Sequence, residues 1–268
     1  MAQVWESRWH HWPVIIIGSV ILVALGWQLL ALQFPPYEFP GLFELWHNVV
    51  LVLSGGDQFS PLSHYRATIL RVAIGFSLAI CIATAWGVAM GIRPTIGPYL
   101  AGPLFIALTV PSVVWAFLAI IWFGLTELLV PVFVIVAIVT PYLTVTMWKG
   151  IESIDHRTVA MARSFGATPL MRWRWIYLPH LSPYLIGAAR VGLAVSWKVA
   201  LVAEVFGSAT GVGVVIKFHF ESLDTGMVIA WALPIMILIY GVDRLFVYGG
   251  NRSKQWQASD DSPLKVIG

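Results

Sequence analysis

At 268 residues, with 59% hydrophobic and only 11% charged residues, the chain is too apolar for a soluble domain, which carries about twice that share of charge. Its mean hydropathy of +0.81 marks an integral membrane protein, and a net charge of +3 is no nucleic-acid signal. The single cysteine, Cys81, excludes an intrachain disulfide and leaves redox chemistry out of the expected function.

Spanning a bilayer as a helix takes about 20 mostly apolar residues. Residues 14–32 are the first such run, preceded by Arg8, His10, His11 and Trp12 and followed by Pro35-Pro36. The run is long and lacks a small-residue cleavage site after it, so no cleavable signal peptide is expected. Residues 37–64 are too polar to span; within them 42–53 reads as a short interfacial helix and Ser54-Gly55-Gly56-Asp57 as a turn. Spans follow at 67–90, 100–123, 130–148, 182–206 and 226–242. The expected fold is therefore all-α, a polytopic membrane protein of about six transmembrane helices forming one domain over 1–268.

In the second span Gly75, Ala79, Ala83, Gly87 and Gly91 recur every fourth position, a stripe of small residues that lets another helix approach closely. Pro103 and Pro111 in the third span, Pro131 and Pro141 in the fourth and Pro234 in the sixth predict kinks, since each removes or displaces a backbone bond. The positive-inside rule orients the set. With the N-terminus in the cytoplasm, the inner side holds Arg8, Arg93, Lys149, Arg157, Arg163, Arg172, Arg174, Arg244, Arg252, Lys254 and Lys265, against Arg66 and Lys217 outside. Both termini and the 150–180 loop are expected in the cytoplasm.

Charges within spans are costly, about 2.5–3.5 kcal/mol at the bilayer centre on insertion scales, and normally face protein or water. Arg71 in span two and Glu204 in span five lie at similar depth and are able to pair; Arg190 lies nearer the cytoplasm. Lys198 is rotated about 120° from Glu204 at roughly 100° per residue, so the two do not share a face. Two readings stay open at this point. Arg71 and Glu204 form a structural ion pair with Lys198 a buried or snorkelling residue, or Lys198 lines a pathway and favours an anion, with Arg71, if nearby, adding positive potential. Thr109-Val110-Pro111-Ser112, with Trp115 one turn on, is a second candidate wall, because Pro111 exposes carbonyls beside two hydroxyls; a kinked core helix explains it as well. The Gly-rich stretch 207–213 (GSATGVG) follows no strand, so it reads as a flexible external gate or a docking contact rather than a nucleotide site. No Walker-type motif is present, the seven histidines show no metal spacing, and no nucleophile–His–acid grouping stands out. His180 reads as a loop residue. The chain is expected to be no enzyme and to bind no cofactor or metal of its own.

Residues 160–179 read AMARSFGATPLMRWRWIYLP, a cationic, amphipathic interruption between two spans. Ala160 to Phe165 predicts a short helix ended by Gly166 at positive φ; Thr168 then caps a second short helix with Pro169 at its first position. This stretch resembles the cytoplasmic EAA loop of bacterial ABC importer permeases: Ala162, Gly166, Ile176, Leu178 and Pro179 fall at the family's spacings, with departures at Ala160 (often Glu) and Met161 (Ala). The resemblance implies a loop that docks on an ATP-binding cassette ATPase subunit through Ala162, Arg163, Gly166, Ala167, Ile176, Leu178 and Pro179. From about residue 62 to 256 the chain is similar to the permeases of nitrate, sulfonate, taurine and bicarbonate importers. The matching pieces are Leu70-Arg71-Val72 with Gly75-Phe76, Val110-Pro111-Ser112, Ile121-Trp122-Phe123-Gly124, Ser196-Trp197-Lys198, Ala203-Glu204, Leu223-Asp224-Thr225, Asp243-Arg244 and Trp256. It implies a type I importer fold in the bacterial inner membrane, a permease dimer (here a homodimer), ATP and Mg held by the partner ATPases, an external substrate-binding protein, and alternating access. The expected substrate is a small anionic solute, although the subfamily also includes carriers of uncharged or heterocyclic compounds, so the resemblance does not fix it. The rival is a self-contained, ion-coupled secondary transporter, against which stands the lack of an internal repeat.

Overall fold

The computed structural model describes residues 12–93 and 95–258, with side chains from 17 to 93 and 95 to 246; Arg8, His10, His11 and Lys265, and the side chains of Arg252, Lys254 and Trp256, lie outside these. Every regular element described is helical. In chain order they are α1 Trp12–Ala31, α2 Leu42–Ser54, α3 Pro61–Ile92, α4 Ile96–Thr109, α5 Ser112–Phe123, α6 Leu129–Glu152 and α7 His156–Ser164, then α8 Pro169–Gly207, α9 Val212–Glu221 and α10 Thr225–Ala258. Helices α3, α6, α8 and the Thr225–Phe246 part of α10 are each long and apolar enough to cross a membrane. The pair α4 and α5 together is apolar enough for a fifth, as one broken span or as a re-entrant loop, and α1, 20 residues long, matches the expected first.

Two expectations are corrected here. The third span is not one kinked helix: α4 and α5 meet at 99°. Pro111 has no N–H and disfavours helical backbone in the residue before it, so Val110 (ψ 122°) and Pro111 (ψ 145°) are extended. The Pro111 carbonyl then accepts the amides of Val114 and Trp115 to start α5. Nor is the helix capped by Thr168 a short one. It continues into the fifth span as α8, 39 residues in all, through a π turn at Trp173–Tyr177. Pro179 lacks the amide that an α ladder needs, and the wider turn, closed by the Leu178 amide on the Trp173 carbonyl, carries the helix past it.

The chain divides into two units, one comprising residues up to 61 with 215–235, the other 62–214 and those from 236 on. In the second unit the small-residue stripe sets the packing of α3 on α6. A Cβ on Gly87 would meet the Met147 Cβ at 2.5 Å and one on Gly91 the Ile151 Cβ at 2.4 Å, while Ala79 and Ala83 earlier in the stripe are fully buried. Helix α6 is buried on its other side against α8, where Gly192 receives Leu143. At one end of α6, Met147, Ile151, Ile154, Val159 and Leu181 form an apolar cluster under α7. In the first unit the Trp27 indole donates to the Pro40 carbonyl (2.9 Å). Asp57 there accepts the fully buried Trp231 indole (2.9 Å) and pairs with His219 (3.3 Å), which fixes the turn after α2.

Candidate functional site: the 153–179 loop and the charges of α8

The loop begins where α6 ends. Asp155 caps α7, its carboxylate accepting the Arg157 amide at 2.8 Å. At the far end of α7 the Gly166 amide donates to the Arg163 carbonyl (2.9 Å) and the Ala167 amide to the Ala162 carbonyl (3.0 Å). That crossed pair closes a Schellman turn, which needs left-handed backbone at its middle; Gly166 supplies it at φ +78°. A side chain there has open space, so glycine is required by conformation alone. Thr168 then accepts the Met171 amide at 3.3 Å and Pro169 opens α8. Ala162, Arg163, Gly166 and Ala167 are therefore the turn itself. Ile176 packs under it against the apolar cluster, while Leu178 and Pro179 stand exposed at the π turn.

What the loop presents outward is unusual for a polar connection. Phe165 is 85% and Leu170 77% exposed, with Met161, Met171 and Trp175 also open, interleaved with exposed Arg157, Arg163 and Arg174. Exposed apolar side chains of this kind mark a protein- or membrane-contact face. His180 does not sit in a loop: it belongs to α8, with Nε2 at 2.9 Å from the Ser153 hydroxyl.

Away from this loop the structure brings Arg71 and Glu204 together, Nη1 to Oε1 at 2.8 Å. Both are buried, Glu204 completely and Arg71 at 3% exposure. The sequence reading missed the rest of the knot. Thr68 donates to Glu204 (2.8 Å), the Gly213 amide does so at 3.0 Å, Arg71 also donates to the Thr210 carbonyl (2.7 Å) and Glu127 takes its Nη2. The Ala209 amide (3.0 Å) and Thr210 hydroxyl (2.6 Å) also bond Glu127, and the Gly211 amide donates to His64 Nδ1 (3.1 Å). Partial desolvation raises the Glu127 carboxyl, but the bonds from Thr210 and Ala209 and the Arg71 charge outweigh it and hold the group below the usual carboxylate range. So the expected flexible gate at 207–213 is corrected: the stretch is tied down by side chains. A Cβ on Gly211 would fall 2.4 Å from the Glu204 carboxyl carbon, which is how closely the chain wraps this acid. One guanidinium faces two carboxyl groups, so Arg71 offers no surplus positive charge to a pathway.

Lys198 is placed differently. It is exposed on a strip of α8 with Gly187 and Val191, and no hydrogen bond or ion pair reaches it from the described residues. Arg190, at the edge of the same strip, binds Asp243 of α10 through Nε and Nη2, the latter at 2.8 Å. The other candidate wall is at the α4–α5 bend. Thr109 donates back to the Ile106 carbonyl (2.8 Å), Pro111 is exposed and Ser112 half-buried. The Trp115 indole N–H is buried with no partner among the described residues.

Residues 79–254 match the family model described as binding-protein-dependent transport system inner membrane component. The taurine transport system permease protein TauC of Escherichia coli (strain K12) is 25% identical over 243 residues, 87% of each chain. The putative aliphatic sulfonates transport permease protein SsuC of Bacillus subtilis (strain 168) is 27% identical over 186 residues, 67% of this chain and 63% of that one. Among solved structures, the MetNI methionine ABC transporter in inward-facing conformations matches with a TM-score of 0.60 at 17% identity, over 70% of this chain and 92% of that chain; at this identity the likeness is one of fold.

Proposed function

The chain belongs to the binding-protein-dependent transport system inner membrane component family, and we propose that it is the permease subunit of an ATP-driven importer for a small anion of the sulfonate kind. The observation that carries this reading is the 153–179 loop, a rigid Schellman bend between two spans that holds apolar and cationic side chains outward. Such a face needs a partner, and in this reading the partner is a separate ATP-binding cassette subunit, which holds the ATP and Mg. The chain itself then carries no ATP site. The loop and both termini lie in the cytoplasm, where the basic residues collect, and a second permease copy completes the pathway. An external binding protein delivers substrate, and ATP binding moves the loop and opens the pathway outward.

The anion follows from two supports. The named relatives are a taurine transport permease and a putative aliphatic sulfonates transport permease, and the exposed cation on α8, Lys198, has no acid paired with it among the described residues. An ammonium at that depth is costly without water or a counter-charge, and a passing anion supplies the counter-charge. The test is purification of the tagged chain from its native membranes, then reconstitution in vesicles. An ATPase subunit is expected to co-purify, and uptake of labelled ethanesulfonate or taurine to require ATP and a binding protein. Uptake driven by an ion gradient with no ATPase present sinks the reading. Lys198→Met is expected to assemble normally and to lower anion uptake at least about tenfold, the effect of about 1.4 kcal/mol on the barrier; normal uptake removes the support from Lys198.

A further inference from the structure

Arg190 and Asp243 form an ion pair that is not buried: their side chains are 46% and 30% exposed, Arg190 within the fifth span and Asp243 in the last turn of the Thr225–Phe246 part of α10. Hydrocarbon does not solvate an exposed ion pair, so on the pathway reading this edge of α8 faces water. Eight residues on, about 12 Å along the helix at 1.5 Å per residue, Lys198 stands on the same strip. Only small or aliphatic side chains separate the two, Val191, Ala194 and Val195, and no acid on α8 shares the strip. The Arg190 guanidinium keeps Nη1 free of any bond to the described residues, while Asp243 takes Nε and Nη2. The pair leans against Trp197, whose buried indole N–H has no partner among the described residues, in a small cleft also lined by Leu193, Ala194 and Val242.

We propose that Asp243 is a specificity-determining residue that cancels Arg190 and so sets the α8 face at one surplus positive charge, that of Lys198. The idea rests on the pathway reading above and adds a second, tuned cationic position to it. With Asp243 present an anion is drawn to Lys198 and meets a neutralised guanidinium further along, able to donate from Nη1 without holding a full ionic bond. Without Asp243 the same path carries two cations 12 Å apart, which binds an anion more tightly and releases it more slowly. The other charged group near the pair is Arg244, whose guanidinium lies over the Tyr240 ring at 4.8 Å.

The test needs no knowledge of the substrate. In the full chain, assembled in membrane vesicles with Cys81→Ser, an Ala194→Cys substitution places a thiol between the two cations. Its labelling rates by anionic sulfonatoethyl and cationic trimethylammonioethyl methanethiosulfonate are divided by the same rates for a free thiol. The anionic reagent is expected to be favoured at least about threefold. Asp243→Asn should raise the ratio roughly three- to tenfold and Arg190→Gln should lower it by a similar factor, since ±1 probes feel a unit charge twice. The double variant, which strands no charge, should restore the starting ratio. Opposite shifts with restoration are something a merely structural pair does not produce. A thiol that neither reagent reaches, or a ratio that Asp243→Asn and Arg190→Gln leave unmoved, overturns the proposal. If either single variant fails to assemble, the other together with the double variant decides. A ratio that falls with Lys198→Met yet ignores Asp243 rejects the tuning role and keeps the pathway; a ratio that ignores Lys198 as well rejects both.

Discussion

Arg71 with Glu204, and Lys198, are charges within the membrane-spanning helices whose surroundings differ in every respect. Around Arg71 and Glu204 the helices and the 207–211 stretch converge so that both charges are hydrogen-bonded and neither reaches the surface. Around Lys198 nothing converges, and the ammonium stands out from α8. The first arrangement fixes structure, because a satisfied buried pair resists any motion that separates it. The second leaves a charge without a counter-charge among the described residues, which is why the proposed pathway is placed there. Burial and pairing, rather than charge in the span as such, distinguish the two.

Several substitutions break or sharpen that contrast. The largest loss is expected from Glu204→Ala, which takes the fully buried carboxylate from Arg71, Thr68 and the Gly213 amide and leaves Arg71 only the half-exposed carboxylate of Glu127; breaking a buried pair costs about 3–5 kcal/mol. The folded yield in detergent and the thermal midpoint should both fall sharply, and an unchanged midpoint would mean that the knot is not structural. A cycle of Arg71→Met, Glu204→Met and the double variant should then show coupling of about 0.5–3 kcal/mol, whereas additive losses would separate the two groups. Gly166→Val comes next: left-handed backbone costs an L-residue about 1–2 kcal/mol. Its effect should fall on co-purification of the ATPase rather than on the midpoint, because no contact is lost in the spans. Undiminished co-purification would take Gly166 out of that role. Lys198→Met should move the midpoint by no more than about 0.5 kcal/mol in equivalent stability, as for an unpartnered surface position. A loss as large as that of Glu204→Ala would place Lys198 in the core and erase the contrast.

The smallest effect is expected at Glu127, on the half-exposed rim of the knot, where an ion pair is worth about 0–1 kcal/mol. Its carboxyl sits below the usual range, so its contribution is present above the unfolded value, about 4.3, and is lost as pH falls through the lower folded value. The gap in midpoint between the native chain and Glu127→Gln should therefore close on acidification below about pH 4. A gap that widened instead would reverse the sign of the shift.

Much of this was legible in advance because it is local. Apolar runs mark the spans, the four-residue spacing of Gly75 to Gly91 marks the α3–α6 contact, and Gly166, Thr168 and Pro169 mark a bend within a few residues of one another. Glu127, Thr68, His64 and Thr210 were not legible. They reach the knot across sequence separations of 56 to 147 residues, and no periodicity encodes which loop folds back on which helix. Nor did the prolines say which of them would break a helix. Pro141 sits inside α6 and Pro183 inside α8 without ending either helix, while Pro111 turns the chain through 99°. The π turn, likewise, is a response to Pro179 that only the continued helix reveals.

That turn has a mechanical consequence. With no sharp break between Pro169 and Gly207, α8 is one rod of about 58 Å at 1.5 Å per residue, gripped at one end by the loop and carrying Lys198 toward the other. A rocking of about 10° about its middle moves each tip by about 5 Å over that length. Moved as one body the rod is a lever, and the widened turn beside the loop is where its backbone ladder departs from α geometry.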